Sequence, residues 1–263
     1  MRIAVLGLGE AGTIYATDLA AHGAHVAAAD PRAAAAPPGV VLVPGTAEAV
    51  TGAALVLSLV GARAASAALA EALPAMARSA VFADLNTAAP EEKRRLAQQA
   101  AGAGVRFADV AVLAPVPRAR IATPLLVSGP GEAALTAQLA ELGIPATSAG
   151  PEPGAAAGLK LLRSVFMKGL AATILEAVTA ASAVGAAGWV TDQIAAELGP
   201  DGAALVQRLL EGTRRHAVRR EEEMLEVRSY LDALGSAHPM TDATIEWLRT
   251  VSAAAPPSGI QNR

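Results

Sequence analysis

Three glycines near the start of the chain restrict its fold more than any other feature of the sequence. Gly7, Gly9 and Gly12 are in the register G-x-G-x-x-G, between an apolar run and a segment rich in helix formers. In a strand–turn–helix unit the first glycine permits the tight turn, the second lets a pyrophosphate approach the backbone, and the third lets the helix pack closely on the strand. We therefore predict a dinucleotide-binding unit. A glycine turn that only packs a helix on a strand is the alternative.

An acidic residue follows the glycines at the distance that such a unit requires. Asp30 comes at the end of the second apolar run, where its carboxylate can accept hydrogen bonds from an adenosine ribose. A turn or cap residue is the alternative for Asp30. Its charge would repel a 2′-phosphate, whereas Arg32 two residues later could offset that repulsion, so NAD and NADP both stay open, with NAD slightly favoured. The residues assigned here to cofactor binding are Gly7, Leu8, Gly9, Glu10, Ala11, Gly12, Asp30, Arg32 and Val60.

Short apolar runs alternate with alanine-rich segments over the first half of the chain, which predicts a parallel sheet covered by helices. The predicted strands are residues 2–8, 25–29, 40–43, 55–60, 80–84, 105–108 and 125–128. The predicted helices between them are residues 13–21, 64–76, 90–101 and 132–142.

A cluster of Gly, Pro and Ser, SAGPEPGAAAG from Ser148, ends this alternation. After it the sequence is typical of helix almost throughout, over residues 155–184, 191–198 and 202–233, with a last helix that has Thr241 or Asp242 as its N-cap. We therefore predict an α/β fold with an N-terminal Rossmann domain over residues 1–152 and an all-α C-terminal domain over residues 153–263.

Composition excludes several classes of function. The 263 residues include no cysteine, which excludes disulfides, thiolate nucleophiles and cysteine-ligated metal centres. The net charge is −3 and no basic block could follow a phosphate backbone, so we expect a small-molecule substrate and no nucleic-acid partner. No uncharged apolar stretch reaches about 18 residues, so we expect no membrane partner and a cytoplasmic location. No His, Asp and Glu cluster has metal-ligand spacing, so we expect no metal.

Three polar residues share one face of the long apolar helix predicted over residues 155–184. Lys160, Ser164 and Lys168 recur at i, i+4 and i+8, which forms a polar stripe about 12 Å long, enough to line a cleft. Exposed lysines that extend into water are the alternative.

The glycine motif, the all-helical second half and the lysine near the start of its long helix together resemble the β-hydroxyacid dehydrogenase superfamily. This superfamily includes 3-hydroxyisobutyrate and 6-phosphogluconate dehydrogenases and the related imine reductases. The segments LKLLRSVFMKG and APVP...TPLLVSG resemble most the branch with a phosphogluconate dehydrogenase-like C-terminal domain. The resemblance implies an NAD(P)-dependent oxidoreductase that moves a hydride between nicotinamide and a carbon bearing hydroxyl or carbonyl, in a cleft between two domains. An imine reductase and a non-catalytic dinucleotide sensor are the alternatives.

The resemblance also implies catalytic roles. Lys160 occupies the place of the family lysine that transfers a proton, and Ser164 stands where the family has an asparagine. The segment DLNTAAP corresponds to a strand end near the nicotinamide and substrate, which nominates Asn86 and Thr87 for cofactor binding as well. A cap for the helix that begins near Pro90 is the alternative for this pair. The residues assigned to catalysis are Lys160, Ser164 and Asn86.

The substrate segment departs from the family pattern. In DVAVLAP, Leu113, Ala114 and Pro115 replace the family's Ser-Gly-Gly, so we expect a different or bulkier substrate. The residues assigned to the substrate are Leu113, Ala114, Pro115 and Lys168.

The charged segment RRHAVRREEEMLEVR predicts a solvated helix face, because Arg219 and Glu223 can pair at i, i+4. The alternative is that His216 and Arg219 reach a substrate, even in a second subunit, since relatives dimerise through their helical domains. We therefore expect a homodimer.

Overall fold

The structure is a computed structural model and describes residues 1–254. Contacts divide the chain into two compact units, Met1–Lys160 and a second unit that begins at Leu161. The boundary expected between residues 152 and 153 stays a prediction. Residues 255–263 of the expected second domain lie outside the described residues.

The first unit contains one eight-stranded sheet. Its strands are β1 (Arg2–Leu6), β2 (His25–Ala29), β3 (Val40–Leu42), β4 (Leu55–Ser58), β5 (Val81–Asp84), β6 (Arg106–Val112), β7 (Leu125–Ser128) and β8 (Ala146–Ser148). The order is β3-β2-β1-β4-β5-β6-β7-β8, and every pair is parallel except β6 and β7. Because β1 lies between β2 and β4, the strand order reverses at β1 and β4, as in a Rossmann fold.

Among residues 1–254, six helices belong to the first unit and four to the second, with one helix crossing from the first to the second. They are α1 (Glu10–Ala21), α2 (Thr46–Val50), α3 (Ala62–Ala72), α4 (Pro90–Gly102), α5 (Val116–Ala119), α6 (Glu132–Glu141), the crossing helix α7 (Ala155–Ser182), α8 (Ala187–Glu197), α9 (Gly202–Arg215), α10 (Ala217–Ala233) and α11 (Pro239–Ala254). This arrangement confirms the predicted fold class, a Rossmann domain followed by an all-α part.

Both faces of the sheet are buried, which explains why its strands are almost continuously apolar. Along β1, Ile3 and Val5 pack in one apolar cluster with Leu19 of α1. Ala4 and Leu6 point to the other face, where they pack in a second cluster with residues of α2, α3 and α4. A two-sided core of this kind holds the carboxyl ends of β1, β4 and β5 at one edge of the sheet.

The second unit is held by two smaller apolar clusters. In one of them Ile174 and Val178 of α7 pack against Leu209 of α9. In the other Leu161 packs with Met224 of α10 and with residues of α11. Among residues 1–254 no helix is long and apolar enough to span a bilayer.

Several strand predictions are wrong at their ends. The strands expected over residues 2–8 and 55–60 stop at Leu6 and Ser58, because the chain turns there into the loops of the candidate site. The strand expected over residues 105–108 continues to Val112, because Asp109 within it is buried and paired rather than exposed. β8, α2 and α5 were not predicted.

Two helix predictions in the second half are also wrong. The single helix expected over residues 202–233 is broken at His216 into α9 and α10. The last helix begins at Pro239, so neither Thr241 nor Asp242 is its N-cap. Proline is well suited to the first helical position because its missing N–H would have no partner there.

Candidate cofactor and catalytic site

The turn after β1 requires glycine at two of the three motif positions for reasons within the chain. Gly7 has a φ of +87°, and a Cβ atom there would lie 2.7 Å from the carbonyl oxygen of Leu59. A Cβ atom on Gly12 would overlap the carbonyl oxygen of Gly7. These contacts bring the start of α1 close against the ends of β1 and β4.

Gly9 differs from the other two glycines. No described atom beyond its chain neighbours lies within 4 Å of a Cβ built at Gly9. It is exposed, and it is the N-cap residue of α1 without a capping side chain. The first N–H groups of a helix have no partner inside it and carry partial positive charge, and those of Glu10 and Ala11 are in this position. Open space beside these donors fits a pyrophosphate.

Asp30 connects the glycine turn to the end of β2. Its Oδ2 atom accepts a hydrogen bond from the N–H of Leu8 at 2.7 Å, and Oδ1 accepts one from the N–H of Arg32 at 2.8 Å. Burial raises the pKa of Asp30, but these backbone bonds and the Arg32 guanidinium outweigh it, so the pKa lies below its ordinary value. The ionised carboxylate keeps lone pairs for a ribose hydroxyl. Asp30 therefore also organises its own turn, as the alternative assignment predicts.

The loops after β4 and β5 lie beside the glycine turn. The Cα atom of Val60 would be 2.9 Å from a Cβ atom on Gly7. The N–H of Gly61, the next residue, donates a hydrogen bond to Oδ1 of Asn86 at 2.7 Å. The structure thus brings Val60 and Asn86, both assigned to the cofactor from sequence, next to the turn that holds Gly7.

Asn86 is buried and its side chain is almost fully engaged. Its Nδ2 atom donates hydrogen bonds to Oγ of Ser58 at 3.1 Å and to the carboxylate of Asp84. One lone pair on Oδ1 remains, so Asn86 can still accept one hydrogen bond. The alternative that Asn86 and Thr87 cap α4 is wrong, because Ala89 is the N-cap residue and no side chain caps it. The catalytic role of Asn86 stays a prediction.

Lys160 and Thr87 meet in the first unit. The Lys160 Nζ atom donates a hydrogen bond to Oγ1 of Thr87 at 3.2 Å. Thr87 is exposed just after β5, and Lys160 is half-buried in the second turn of α7. The lysine assigned to proton transfer therefore lies at the same sheet edge as the glycine turn.

The other two residues of the polar stripe follow on α7. Ser164 is 7% exposed, and its Oγ atom accepts a hydrogen bond from Nζ of Lys168 at 3.0 Å. Lys168 also pairs with Glu223 of α10 at 3.0 Å, so its charge is offset inside the second unit. The stripe is present as predicted, and the roles of Ser164 and Lys168 towards a substrate stay predictions.

The charged segment around His216 forms the predicted helical pair. Arg219 Nε lies 3.6 Å from Glu223 Oε1, which confirms the i, i+4 pairing. Burial and the neighbouring Arg219, Arg215 and Arg220 lower the pKa of His216 below its usual value. A role for His216 or Arg219 at a substrate stays a prediction.

The segment that replaces the family's Ser-Gly-Gly follows β6 as an apolar turn. Leu113 and Ala114 are half-buried, and Pro115 is the exposed N-cap residue of α5. The loop that continues from it is anchored to α1, because Asp18 accepts hydrogen bonds from the Arg120 guanidinium and from the N–H of Ile121 at 3.1 Å. The substrate assignment of these three residues stays a prediction.

Sequence reasoning missed three charged residues buried beneath this site. Nζ of Lys93 lies 2.7 Å from Oδ2 of Asp84 and 3.1 Å from Oδ1 of Asp109, and the three side chains are at most 1% exposed. Burial lowers the pKa of Lys93, but the two carboxylates raise it above its ordinary value. In the sequence Lys93 lies in the charged run EEKRR and looks exposed. The sequence feature that indicated a buried charge was Asp109, which lies inside the apolar run FADVAV.

Comparison with known proteins assigns the chain to a family. Residues 2–142 match the model of the NAD-binding domain of 6-phosphogluconate dehydrogenase, and residues 181–251 match a domain of unknown function, DUF1932. The chain belongs to the 6-phosphogluconate dehydrogenase NAD-binding family. This membership confirms the resemblance stated from the sequence and supports an NAD(P)-dependent oxidoreductase. Among residues 1–254 no group of three or more His, Asp or Glu side chains is placed to hold a metal ion.

Solved structures share the fold over nearly the whole chain. A conserved hypothetical protein from Sinorhizobium meliloti is 32% identical, with a TM-score of 0.79 and coverage of 98% of this chain and 91% of that one. The 3-hydroxyisobutyrate dehydrogenase of Mycobacterium tuberculosis, solved with L-serine, is 20% identical, with a TM-score of 0.81 and coverage of 96% and 94%. An imine reductase from Myxococcus stipitatus, solved with NADP+, is 17% identical, with a TM-score of 0.65 and coverage of 97% and 95%. No curated protein matches the chain.

Proposed function

We propose that this chain is an NAD(P)-dependent oxidoreductase that transfers a hydride between nicotinamide and the hydroxyl-bearing or carbonyl carbon of a hydroxyacid-type substrate, with Lys160 as general acid and base. The observation that carries the proposal is the hydrogen bond from Lys160 to Thr87, at the sheet edge that also holds the glycine turn. From β1 to β5 is two strand spacings, about 10 Å, a distance that a dinucleotide lying across the edge would cover.

The residues present fit a dinucleotide. The space beside Gly9 would take the pyrophosphate, the first N–H groups of α1 would bind its oxygens, and Asp30 would accept from the ribose hydroxyls. Among the similar folds, the imine reductase of Myxococcus stipitatus was solved with NADP+ and its V8 variant with NAD+. We keep NAD as the slightly favoured cofactor because Asp30 is ionised. The bound nicotinamide supplies or accepts the hydride.

Lys160 would move the proton that balances the hydride. In oxidation its neutral amine accepts the hydroxyl proton while the hydride leaves the carbon, and in reduction its ammonium donates a proton to the carbonyl oxygen. Thr87 holds Nζ at the end of β5, and Ser164 offers a hydroxyl one turn further along α7. Asn86 has only an acceptor left, so it would orient a substrate hydroxyl by accepting from it.

The substrate would meet an apolar turn at Leu113, Ala114 and Pro115, and Lys168 of the polar stripe is also proposed as a substrate residue. An apolar turn in place of small polar residues supports a bulkier substrate than the family's short hydroxyacids.

Replacement of Lys160 tests the proposal. Wild type is first screened with L-serine, 3-hydroxyisobutyrate and larger hydroxyacids, with NAD+ and with NADP+. In Lys160→Met, kcat on any substrate that is found should fall by roughly 10²–10⁴, while NADH affinity is retained. Arg163→Met is the matched control, because it removes an exposed cation from the same helix. Near-wild-type turnover by Lys160→Met would remove Lys160 from the mechanism.

An imine reductase is the second candidate, favoured by the apolar turn at Leu113–Pro115. An imine that is already protonated needs Lys160 less, so Lys160→Met should reduce a cyclic imine at a rate closer to wild type than it reduces a ketone. A non-catalytic sensor would bind NADH and turn over neither class of substrate.

We also propose that the chain is a cytoplasmic homodimer that associates through its helical unit. Large exposed apolar side chains concentrate in that unit, and they are Leu162, Phe166, Val184, Trp189, Val218, Leu234 and Met240. The larger first unit exposes Met1, Val41 and Leu159. A contact between two helical units would bury such surface.

A further inference from the structure

A buried charged cluster lies beneath the proposed site and has no part in the proton transfer itself. We call Asp84, Lys93 and Asp109 the buried triad. It contains two carboxylates and one ammonium, and its side chains are at most 1% exposed. Burial of an ion costs several kcal/mol, and well-packed apolar residues often replace a buried ion pair without loss of stability. A purely structural core would not need these charges, so their contacts indicate what they do.

One end of the triad contacts the loop after β5. An oxygen of Asp84 accepts a hydrogen bond from Nδ2 of Asn86, and the other faces Nζ of Lys93 at 2.7 Å. Lys93 also donates to the backbone carbonyl of Asp84 at 3.0 Å. The triad thereby fixes the amide of Asn86 and the backbone that leads to Thr87.

The other end contacts the beginning of α7. Oδ1 of Asp109 lies 3.1 Å from the Lys93 ammonium, and Oδ2 accepts a hydrogen bond from the N–H of Ala157 at 3.0 Å. The hydroxyl of Ser128 donates to Asp109 at 3.2 Å and accepts from the N–H of Ala156 at 3.0 Å. Negative charge at a helix N-terminus is favourable, because the unpaired N–H groups there are partly positive. Asp109 therefore holds the first turn of α7 in place.

These contacts close a ring. Lys160 lies three residues after Ala157, on the next turn of α7, and its Nζ atom donates to Thr87. Thr87 follows Asn86, which returns to Asp84. Every member of this ring lies within the first unit, Met1–Lys160.

We propose that the buried triad is a positioning unit that ties the loop after β5 to the start of α7 and so fixes the Lys160 ammonium at Thr87. The inference rests on the proposed function, in which Lys160 transfers the proton. Asp109 and Lys93 are positioning residues, because they act through Ala157 and Asn86 and their side chains are at most 1% exposed.

The lysine content of the chain allows a direct test. The only lysines in the sequence are Lys93, Lys160 and Lys168, so protein labelled with ¹³C-lysine gives three Cε signals. Each signal is assigned by one Lys→Arg variant. The position and pH titration of the Lys160 signal are then compared in wild type, Asp109→Asn and Glu92→Gln. Glu92→Gln is the matched control, because it removes the same charge from the residue next to Lys93, where the carboxylate pairs with Arg95 at the surface.

Asp109→Asn should move the Lys160 signal and its titration midpoint while it leaves Lys168 unchanged. Removal of a negative charge about 5–10 Å away lowers that midpoint by roughly 0.3–2.4 pH units at an effective dielectric between 20 and 80. With an active substrate, kcat of Asp109→Asn should fall by about tenfold or more at unchanged KM for NADH. Glu92→Gln should change neither the Lys160 signal nor kcat. A Lys160 signal that matches wild type in Asp109→Asn would overturn the inference.

Two further measurements keep the outcomes distinct. If Asp109→Asn does not fold, Ser128→Ala replaces it, because it keeps all three charges and removes only the hydroxyl that joins Asp109 to the N–H of Ala156. An unmoved Lys160 signal in folded Ser128→Ala then contradicts the inference, and a moved one supports it. If Lys160→Met keeps full turnover, the proposed function fails, whereas the NMR comparison still decides whether the triad positions Lys160.

Discussion

Replacement of Gly9 by alanine should separate cofactor binding from folding. Beyond its chain neighbours, no described atom lies within 4 Å of a methyl group placed on Gly9. Its φ of −64° and ψ of −170° are accessible to alanine. If the pyrophosphate lies against Gly9, the methyl group occupies the space that the phosphate needs, and binding weakens while the fold persists.

The expected magnitudes follow from these contacts. In Gly9→Ala the poorer N-cap costs about 0.5–1 kcal/mol, and the less flexible unfolded chain returns about 0.4–1 kcal/mol, so stability is nearly unchanged. Loss of one charge-assisted hydrogen bond to phosphate costs about 1.5–3 kcal/mol, a decrease in affinity of roughly tenfold to a hundredfold. Gly12→Ala is the contrasting variant. Its methyl group overlaps the carbonyl oxygen of Gly7, and overpacking of this kind costs about 1–3 kcal/mol or more.

The assay combines thermal unfolding with titration of NADH and NADPH, followed by their own fluorescence. Gly9→Ala should unfold within about 2 °C of wild type and bind both dinucleotides at least tenfold more weakly. Gly12→Ala should unfold several degrees lower. Wild-type affinity in Gly9→Ala would refute the placement of the pyrophosphate. So would a loss of Tm in Gly9→Ala as large as that in Gly12→Ala.

Three further predictions concern the ribose contact, the assembly and pH. Asp30→Ala should weaken NADH and raise the relative affinity for NADPH in the same titration, and an unchanged ratio would contradict the ribose contact. Wild type should scatter light as a dimer of the 26.3 kDa chain, and Phe166→Asp, which charges an exposed side chain of α7, should shift it towards monomer; a monomeric wild type would contradict the dimer. Hydrogen bonds that the His238 ring donates to Asp232, and to Asp242, raise the pKa of His238 above its usual value. The stability that His238 contributes is therefore complete below about pH 6.5 and is lost as the pH rises through its folded pKa, so the Tm difference from His238→Gln should be larger at pH 6 than at pH 9. A difference that does not change with pH would contradict this.

The sheet could be predicted from the sequence because a strand that is buried on both faces is apolar at consecutive positions. Ile3 and Val5 face one core and Ala4 and Leu6 the other, so β1 is apolar at every position from Ile3 to Leu6. β6 is longer than predicted because the burial of one of its residues depends on partners that are distant in the sequence. Asp109 interrupts its apolar run, and the groups that make its burial possible lie 16 residues earlier at Lys93 and 48 residues later at Ala157. A local pattern contains neither partner.

In the site, too, contacts within a short segment could be predicted and contacts between distant segments could not. Gly7, Gly12 and Asp30 could be assigned from sequence, because a tight turn and a neighbouring strand end determine their roles within one strand–helix–strand unit. The contact of Lys160 with Thr87 joins residues 73 positions apart, and no local pattern predicts such a contact.

Residue usage carries a further signal about the site. Three of the 21 Lys and Arg residues are lysines, and arginine occupies all the other positions. Lys93 pairs with two buried carboxylates, Lys168 pairs with Glu223, and Lys160 contacts Thr87. Arginine is always charged and carries a wide planar group, whereas lysine is a compact point charge that can release its proton. This chain uses arginine at its exposed basic positions. We therefore infer that lysine is used where a small or a titratable cation is needed, and this applies to Lys93 as well as to Lys160.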